Sequence, residues 1–405
     1  MVKGTSGLID RSTGASIILF IIAPFFSFIG SILRAKNERN LWILFCFYIL
    51  FGLCFTLNPD SGFDSLRYVE AFESMEYGSF SDIYFANMIS KGNIGDIYFP
   101  TVAWLASKIG GSNYHIMFLC FALAFAIFTI NSLKVFYANS HTSMPWMYSL
   151  VVFILICNNF IFNINGMRFW TAAWILLYGV LTFYVVGQKI GLLWILVTPL
   201  VHSTFIIPIL LIIVAKFLGR YEKIWILFLI ISVPFSFLSV SLIPVISNYI
   251  PELYLGKFDF YTNQQYIIDR SSGIGFTYLD NFLRTCLVIL EVYVLYQYYK
   301  YYKSKKKDYK WKLRPLFHFT IILVAFSNFF SAIPSLGGRF IIVALPLVVY
   351  FVWIRAGYKV YRQYLLGLLA TMSFSILDLI INKIALVLPS EFYYSNAISL
   401  IIDYI

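Results

Sequence analysis

The sequence is poor in charge: only 12% of its 405 residues are Asp, Glu, Lys or Arg. A soluble domain carries about a quarter, so a folded surface of this size would not be solvated, and a soluble globular protein is excluded. Acidic residues are scarcer still, 19 against 30 Lys and Arg. There are five cysteines, Cys46, Cys54, Cys120, Cys157 and Cys286, all inside apolar runs. Their spacing is neither paired nor metal-binding, so they read as small core residues. The chain has no G-x-x-x-x-G-K-[ST] loop, no Gly-x-Ser-x-Gly elbow and no His and acidic set at metal spacing. Nucleotide hydrolysis, serine-hydrolase chemistry and a protein-held metal are therefore unsupported, and no cofactor is expected. Short alternating segments are lacking, which excludes a β-barrel, and no soluble basic domain exists to bind nucleic acid. The first apolar run, 15–33, leads into a charged loop without a cleavage site, so a cleaved signal peptide is not expected.

What is present is apolar bulk. Hydrophobic residues make up 60% of the chain and aromatics 20%, with mean hydropathy +0.80. Runs of about twenty apolar residues recur, each long enough to cross a bilayer as a helix. The fold class expected is all-α: one integral membrane domain, a polytopic bundle of about 10–12 spans. Spans are placed at 15–33, 41–57, 114–137, 145–162, 168–186, 223–246, 279–300, 315–334, 339–354 and 365–384. The net charge of +11 gathers between spans, at 34–39, 216–223, 300–314 and 355–362. That is the positive-inside pattern, so most of the charge orients helices in the lipid bilayer. With 303–312 in the cytoplasm, 58–98 and 251–277 fall outside.

The stretch 191–217 is apolar, yet cytoplasm-like basic residues flank it on both sides, and Pro199 and Pro208 bracket His202. We read a re-entrant hairpin with His202 near its tip; the alternative is one kinked span with a misplaced neighbour. Arms of about 13 residues rise roughly 20 Å, short of the roughly 30 Å of a full crossing. In the outer segment 58–98, Leu66, Val69, Phe72 and Met75 recur every third residue, as in an amphipathic helix lying on the membrane. There Asp64, Arg67 and Tyr68 share a face. The apolar run 98–108 reads as a second interfacial or re-entrant helix. The outer segment 251–277 interleaves aromatics such as Tyr261 with polar residues such as Arg270, which suits either a sugar-like ligand or an interfacial aromatic belt.

Ionisable residues at membrane depth call for a functional hypothesis. Arg168 and Arg339 each open a span after a short Gly-containing turn. Planar guanidinium groups at one depth suit a pyrophosphate clamp, or else snorkel to lipid headgroups. His202 is placed to take a proton from a sugar hydroxyl or to hydrogen-bond a phosphate. Glu291, with Arg284 two turns before it, is a lone mid-span carboxylate that must be protonated or paired. Asp378 reads as a partner of Lys383 or of another helix.

Three stretches carry a family likeness: a charged turn, a span and then N-P-D-S-G-F-D-S-L-R-Y; N-G-M-R-F-W-T-A-A, 165–173; and P-L-V-H-S-T-F-I-I-P, 199–208. In these the chain resembles the EpsG-like and Wzy-type bacterial polysaccharide (O-antigen) polymerases, over roughly 34–215. Phe169 stands where that family commonly has a Gln. The resemblance implies a GT-C-like architecture in the bacterial cytoplasmic (inner) membrane, with its active site facing the exterior. It further implies glycosyl transfer from undecaprenyl pyrophosphate to a lipid-linked repeat unit. Arg168 and Arg339 would steady the leaving pyrophosphate, and His202 or Asp64 would take the acceptor proton. Arg67, Tyr68, Tyr261, Arg270, Arg284 and Glu291 would contribute to substrate binding. A chain-length-regulating partner protein is left open. The rival readings are a flippase for lipid-linked oligosaccharides, which Glu291 and Asp378 favour, and a membrane O-acyltransferase with His202 as base.

Overall fold

A computed structural model describes residues 11–57, 64–73, 75, 79–81, 96–139, 144–242, 245, 247–248, 277–304, 312–384 and 387–405. Its regular elements are helices: α1 (Arg11–Ile22), α2 (Pro24–Leu33), α3 (Leu41–Leu53), α4 (Asp64–Glu73), α5 (Tyr98–Gly110), α6 (Tyr114–Ala138), α7 (Pro145–Asn158) and α8 (Met167–Leu181). They continue with α9 (Ile190–Val201), α10 (Ile206–Leu218), α11 (Glu222–Ser232), α12 (Thr277–Ser304), α13 (Arg314–Phe329), α14 (Arg339–Trp353), α15 (Lys359–Asp378) and α16 (Ala397–Tyr404). The all-α membrane bundle expected from composition is what forms. Four helical stretches are long and apolar enough to cross a bilayer: Tyr114–Ala138, Pro145–Val186, Leu336–Trp353 and Lys359–Ile381. Between them pack shorter apolar helices of 10–17 residues, including α2, α3, α9 and α13.

Proline decides several boundaries that hydropathy misplaces. The expected single span 15–33 is two helices that fold back on each other at Ala23–Pro24, with the Ser27 hydroxyl donating to the Ser16 carbonyl at 3.3 Å. Pro24 lacks the N–H that would continue α1 and is well placed to start α2. The span expected at 223–246 stops as a regular helix at Ser232, just before Pro234. In α14, Pro346 lies mid-helix and leaves the Ile342 carbonyl without its helical donor. Asn158 of α7 fills the gap, Nδ2 donating to that oxygen at 2.8 Å.

Buried aromatic rings fill the core. Phe125 and Phe128 of α6 meet Trp174 and Tyr178 of α8 in register, which sets these two helices parallel. α9 runs back up α8, and the crossing is closest where Gly179 faces Gly191. A Cβ on Gly191 would lie 2.5 Å from the Gly179 carbonyl oxygen, so only glycine permits this approach.

Charge sorts to one end of the bundle. The Ser149 hydroxyl reaches the Leu33 carbonyl (2.9 Å), the Trp353 indole reaches the Phe136 carbonyl (2.8 Å), and Tyr298 stacks near Phe351 (4.9 Å). These contacts bring the C-terminal ends of α2, α6, α12 and α14 together with the N-terminal end of α7. Arg34, Lys300, Lys303 and Arg355 lie there. Arg362 joins them from α15 through Met144, and Arg314 pairs with Glu222 at 2.7 Å. We call this the basic end. The N-termini of α8 and α14 lie at the other.

Candidate functional site

Two helices begin side by side at the end opposite the basic residues. α8 starts after the 3-10 turn Ile161–Gly166, and α14 starts after the turn Pro334–Gly338. Their N-cap residues, Gly166 and Gly338, offer no side-chain cap. The turn before α14 runs into it, so the Arg339 N–H already meets the Leu336 carbonyl; both helix dipoles present positive charge at the same end. Arg168 and Arg339 sit on these two first turns.

Phe169 joins the two. Its buried ring packs against Phe340 (5.8 Å between centroids), Phe205 (5.1 Å) and His202 (5.3 Å, edge-on). The Arg339 guanidinium carbon lies over the same ring at 5.4 Å. The residue that replaces the family's Gln is thus the hub on which Arg339 and His202 converge beside Arg168.

His202 sits where α9 ends and α10 begins, in an extended conformation that breaks the helix. Pro199 lies inside α9 and Pro208 inside α10, on either side of this break. α9 lies along α8, and Gly219, just past α10, meets the His318 ring near the start of α13. The two arms thus rise from the basic end and return to it, with His202 at the top. The Thr204 hydroxyl lies 2.8 Å from His202 Nδ1, and the Thr204 N–H points at the same nitrogen at 3.4 Å. When Nδ1 accepts from Thr204, the neutral ring carries its proton on Nε2.

Arg168 is held from two sides. Its Nη1 donates to Asp96 Oδ2 at 2.7 Å, and its Nε donates to the Tyr68 hydroxyl at 3.1 Å. Asp96 is 8% exposed. Ile97 follows it, and its N–H takes the Leu200 carbonyl at 3.0 Å, fixing this stretch to the end of α9. Tyr68 comes from α4, whose start is secured by Asn165: the Ser65 N–H donates to Asn165 Oδ1 at 3.1 Å. Burial pushes the Tyr68 phenol above its ordinary pKa while Arg168 opposes the shift, so at neutral pH the hydroxyl stays protonated.

The shared face of Asp64, Arg67 and Tyr68 does not form. Ser65, Tyr68, Val69 and Phe72 are buried, whereas Asp64 and Arg67 are exposed. The inward stripe follows the i, i+3, i+4, i+7 pattern of a helix and displaces Leu66 from the predicted one. α4 lies against protein, with Tyr68 stacked near Phe99 at 4.9 Å. Asp64 stays one turn from Tyr68, at the rim.

Other candidates lie apart. Tyr261 and Arg270 fall outside the described residues, as does the outer segment 251–277 except for its last residue, Thr277. Arg284 is exposed on α12. Glu291 is completely buried, and neither carboxyl oxygen has a hydrogen-bond partner among the described residues. Among the described residues no contact links it to the Arg168 cluster, so a direct part in substrate binding with these arginines gains no support. Asp378 pairs with Lys383 at 2.9 Å.

The residue that sequence reasoning missed is Asp96, one of seven acids in the outer segment 58–98. Its signal was its place, two residues before an apolar helix, where a carboxylate at membrane depth needs a cation.

The model of the EpsG family matches residues 39–392, nearly the whole sequence, and the chain belongs to that family. Membership points to a membrane protein with a polysaccharide-polymerase-like function. No curated protein and no solved structure matches the chain.

Proposed function

We propose that this EpsG-family protein polymerises a bacterial envelope polysaccharide, such as an O-antigen or capsule. It passes a growing glycan from undecaprenyl pyrophosphate to a lipid-linked repeat unit at the outer face of the cytoplasmic membrane. The basic end lies in the cytoplasm by the positive-inside rule, which puts Arg168, His202 and Arg339 outside.

The observation that carries this reading is the convergence on Phe169 of two helix starts, each bearing an arginine and neither with a side-chain cap. Such a place suits an anion. Arg168 is already neutralised by Asp96, whereas Arg339 has no carboxylate partner among the described residues. Arg339 therefore supplies the unspent positive charge for the pyrophosphate, with His202 Nε2–H as a further donor. In the reaction the bond between the anomeric carbon and the pyrophosphate oxygen breaks, and a bond from that carbon to an acceptor hydroxyl oxygen forms. The negative charge that grows on the pyrophosphate is met by donors already in place. Asp64, exposed at the rim, is the carboxylate assigned to the acceptor proton.

The test is to give purified protein a lipid-linked repeat unit in bilayers and resolve the products by length. Wild type yields a ladder, and Arg168→Ala and Arg339→Ala each cut it by about a hundredfold or more, the scale of losing one preorganised donor. An undiminished ladder in both variants would sink the mechanism. The buried, unpartnered Glu291 favours the second reading, a flippase. Loss of lipid movement across the bilayer in Glu291→Gln, with no ladder from wild type, would put that reading in its place.

A further inference from the structure

The basic end holds a cavity of about 430 Å³ whose chemistry the polymerase reading does not use. It lies between the end of α12 and the start of α15. Lys300, Tyr301, Arg355, Tyr358, Tyr361 and Gln297 are among its lining residues. Among the described residues, two of the lining side chains are cations and none is a carboxylate.

Arg355 is the centre of it. Its guanidinium carbon lies 3.5 Å from the centroid of the Tyr301 ring and 5.3 Å from that of Tyr358. Stacking on the Tyr301 face fixes the guanidinium plane, and the guanidinium also hydrogen-bonds the Tyr361 side chain. Nε and Nη2 are buried and have no hydrogen-bond partner among the described residues. Burying donors of a charged group without a partner costs free energy that the fold recovers only when an acceptor is supplied. Nε and Nη2 form the side of the fork that grips two oxygens of one anion. Lys300, held over Tyr296 at 4.8 Å, adds a second positive charge at the cavity wall.

We propose that this cavity is an anion site for a phosphate group, gripped by Arg355 Nε and Nη2 with Lys300 as the second cation. The tyrosine rings accommodate the organic part that the phosphate carries. The chemistry is shared by two sources: the headgroup of an anionic phospholipid in the leaflet at the basic end, and a soluble phosphate species. The site stands at the opposite end of the bundle from Arg168, and it holds whether or not the polymerase reading does.

The experiment uses the full chain in phosphatidylcholine nanodiscs doped with phosphatidylglycerol, with bound lipid counted by native mass spectrometry after release. Wild type retains phosphatidylglycerol, and Arg355→Met lowers its apparent affinity by about tenfold or more, as loss of a charge-assisted hydrogen bond does. Arg355→Lys restores only part, since an ammonium lacks the fork. Lys300→Met, at an exposed position, gives a smaller loss and guards against a folding artefact in Arg355→Met. If inorganic phosphate at millimolar concentration displaces the lipid from wild type, the phosphate itself is the recognised group. If phosphate binds and phosphatidylglycerol does not, the source is soluble. Equal retention of both probes by wild type, Arg355→Met and Lys300→Met would overturn the proposal.

Discussion

Asp96 Oδ2 and Arg168 Nη1 meet at 2.7 Å, and this pair joins a segment before α5 to the first turn of α8. The carboxylate cannot itself grip a phosphate; what it does in the fold is hold the Arg168 guanidinium in place. Tyr68 fixes the same guanidinium at Nε. Asp96→Asn keeps the shape and a weaker hydrogen bond but leaves Arg168 without its counter-charge. We expect the variant to lose about 2 kcal/mol of stability, the scale of a hydrogen bond to a charged group, seen as a lower unfolding temperature in nanodiscs. We also expect a shorter product ladder than wild type, though a stronger one than from Arg168→Ala. An unchanged unfolding temperature would show that the pair is dispensable.

Phe169 makes the second prediction. Restoring the Gln common in the family puts an amide into a pocket walled by Phe205 and Phe340. That amide would be buried among rings that cannot hydrogen-bond it fully, at a cost of about 1–3 kcal/mol beyond the lost packing. Phe169→Gln therefore lowers the unfolding temperature more than Phe169→Leu, which keeps most of the apolar volume. Both weaken catalysis, because Arg339 and His202 lose the surface that sets their separation. A Phe169→Gln protein as stable as wild type would mean that the ring is not the hub.

How much of this was legible beforehand differs from residue to residue. Arg168, Arg339 and His202 could be singled out because a charge or an imidazole in an apolar run is costly and needs a reason. Their convergence could not be read, because it depends on Phe169 meeting Phe340 and Phe205 across three helices. Asp96 was hidden for the opposite cause: among seven acids in one outer segment, composition gives none of them a distinct place. Helix identity was legible from apolar run length, whereas the fold-back at Pro24 was not. Hydropathy sums apolar residues across a proline without registering the missing N–H. The basic end was the most legible feature, since the clusters of Lys and Arg mark helix ends directly.

His202 permits a test that separates donor from base. With Nδ1 engaged by Thr204, the ring presents Nε2–H. Gln places an amide N–H near the position of Nε2, so His202→Gln keeps a tenth or more of the activity while His202→Ala loses about a hundredfold. The pH profile gives the sign independently. A donor imidazole still donates when protonated, so its own titration does not remove activity as pH falls. A base is lost once it is protonated, and activity would then drop below its pKa. An acidic limb that is present in wild type and absent in His202→Gln would reverse the assignment.

The Asn158 amide offers a test of the fold independent of any substrate. It donates to the Ile342 carbonyl at 2.8 Å, the oxygen left open by Pro346 one turn along α14. Asn158→Ala strands a buried carbonyl one turn below Arg339, at a cost of about 1–3 kcal/mol. Pro346→Ala restores the missing backbone N–H, so the helix can pair Ile342 itself. In the double variant the Asn158→Ala loss should shrink by at least half, giving an interaction energy of about 0.5–3 kcal/mol in a thermal double-mutant cycle. Strict additivity would show that Asn158 serves some other end. Coupling would show that α7 sets the first turns of α14, and through them the depth at which Arg339 is held.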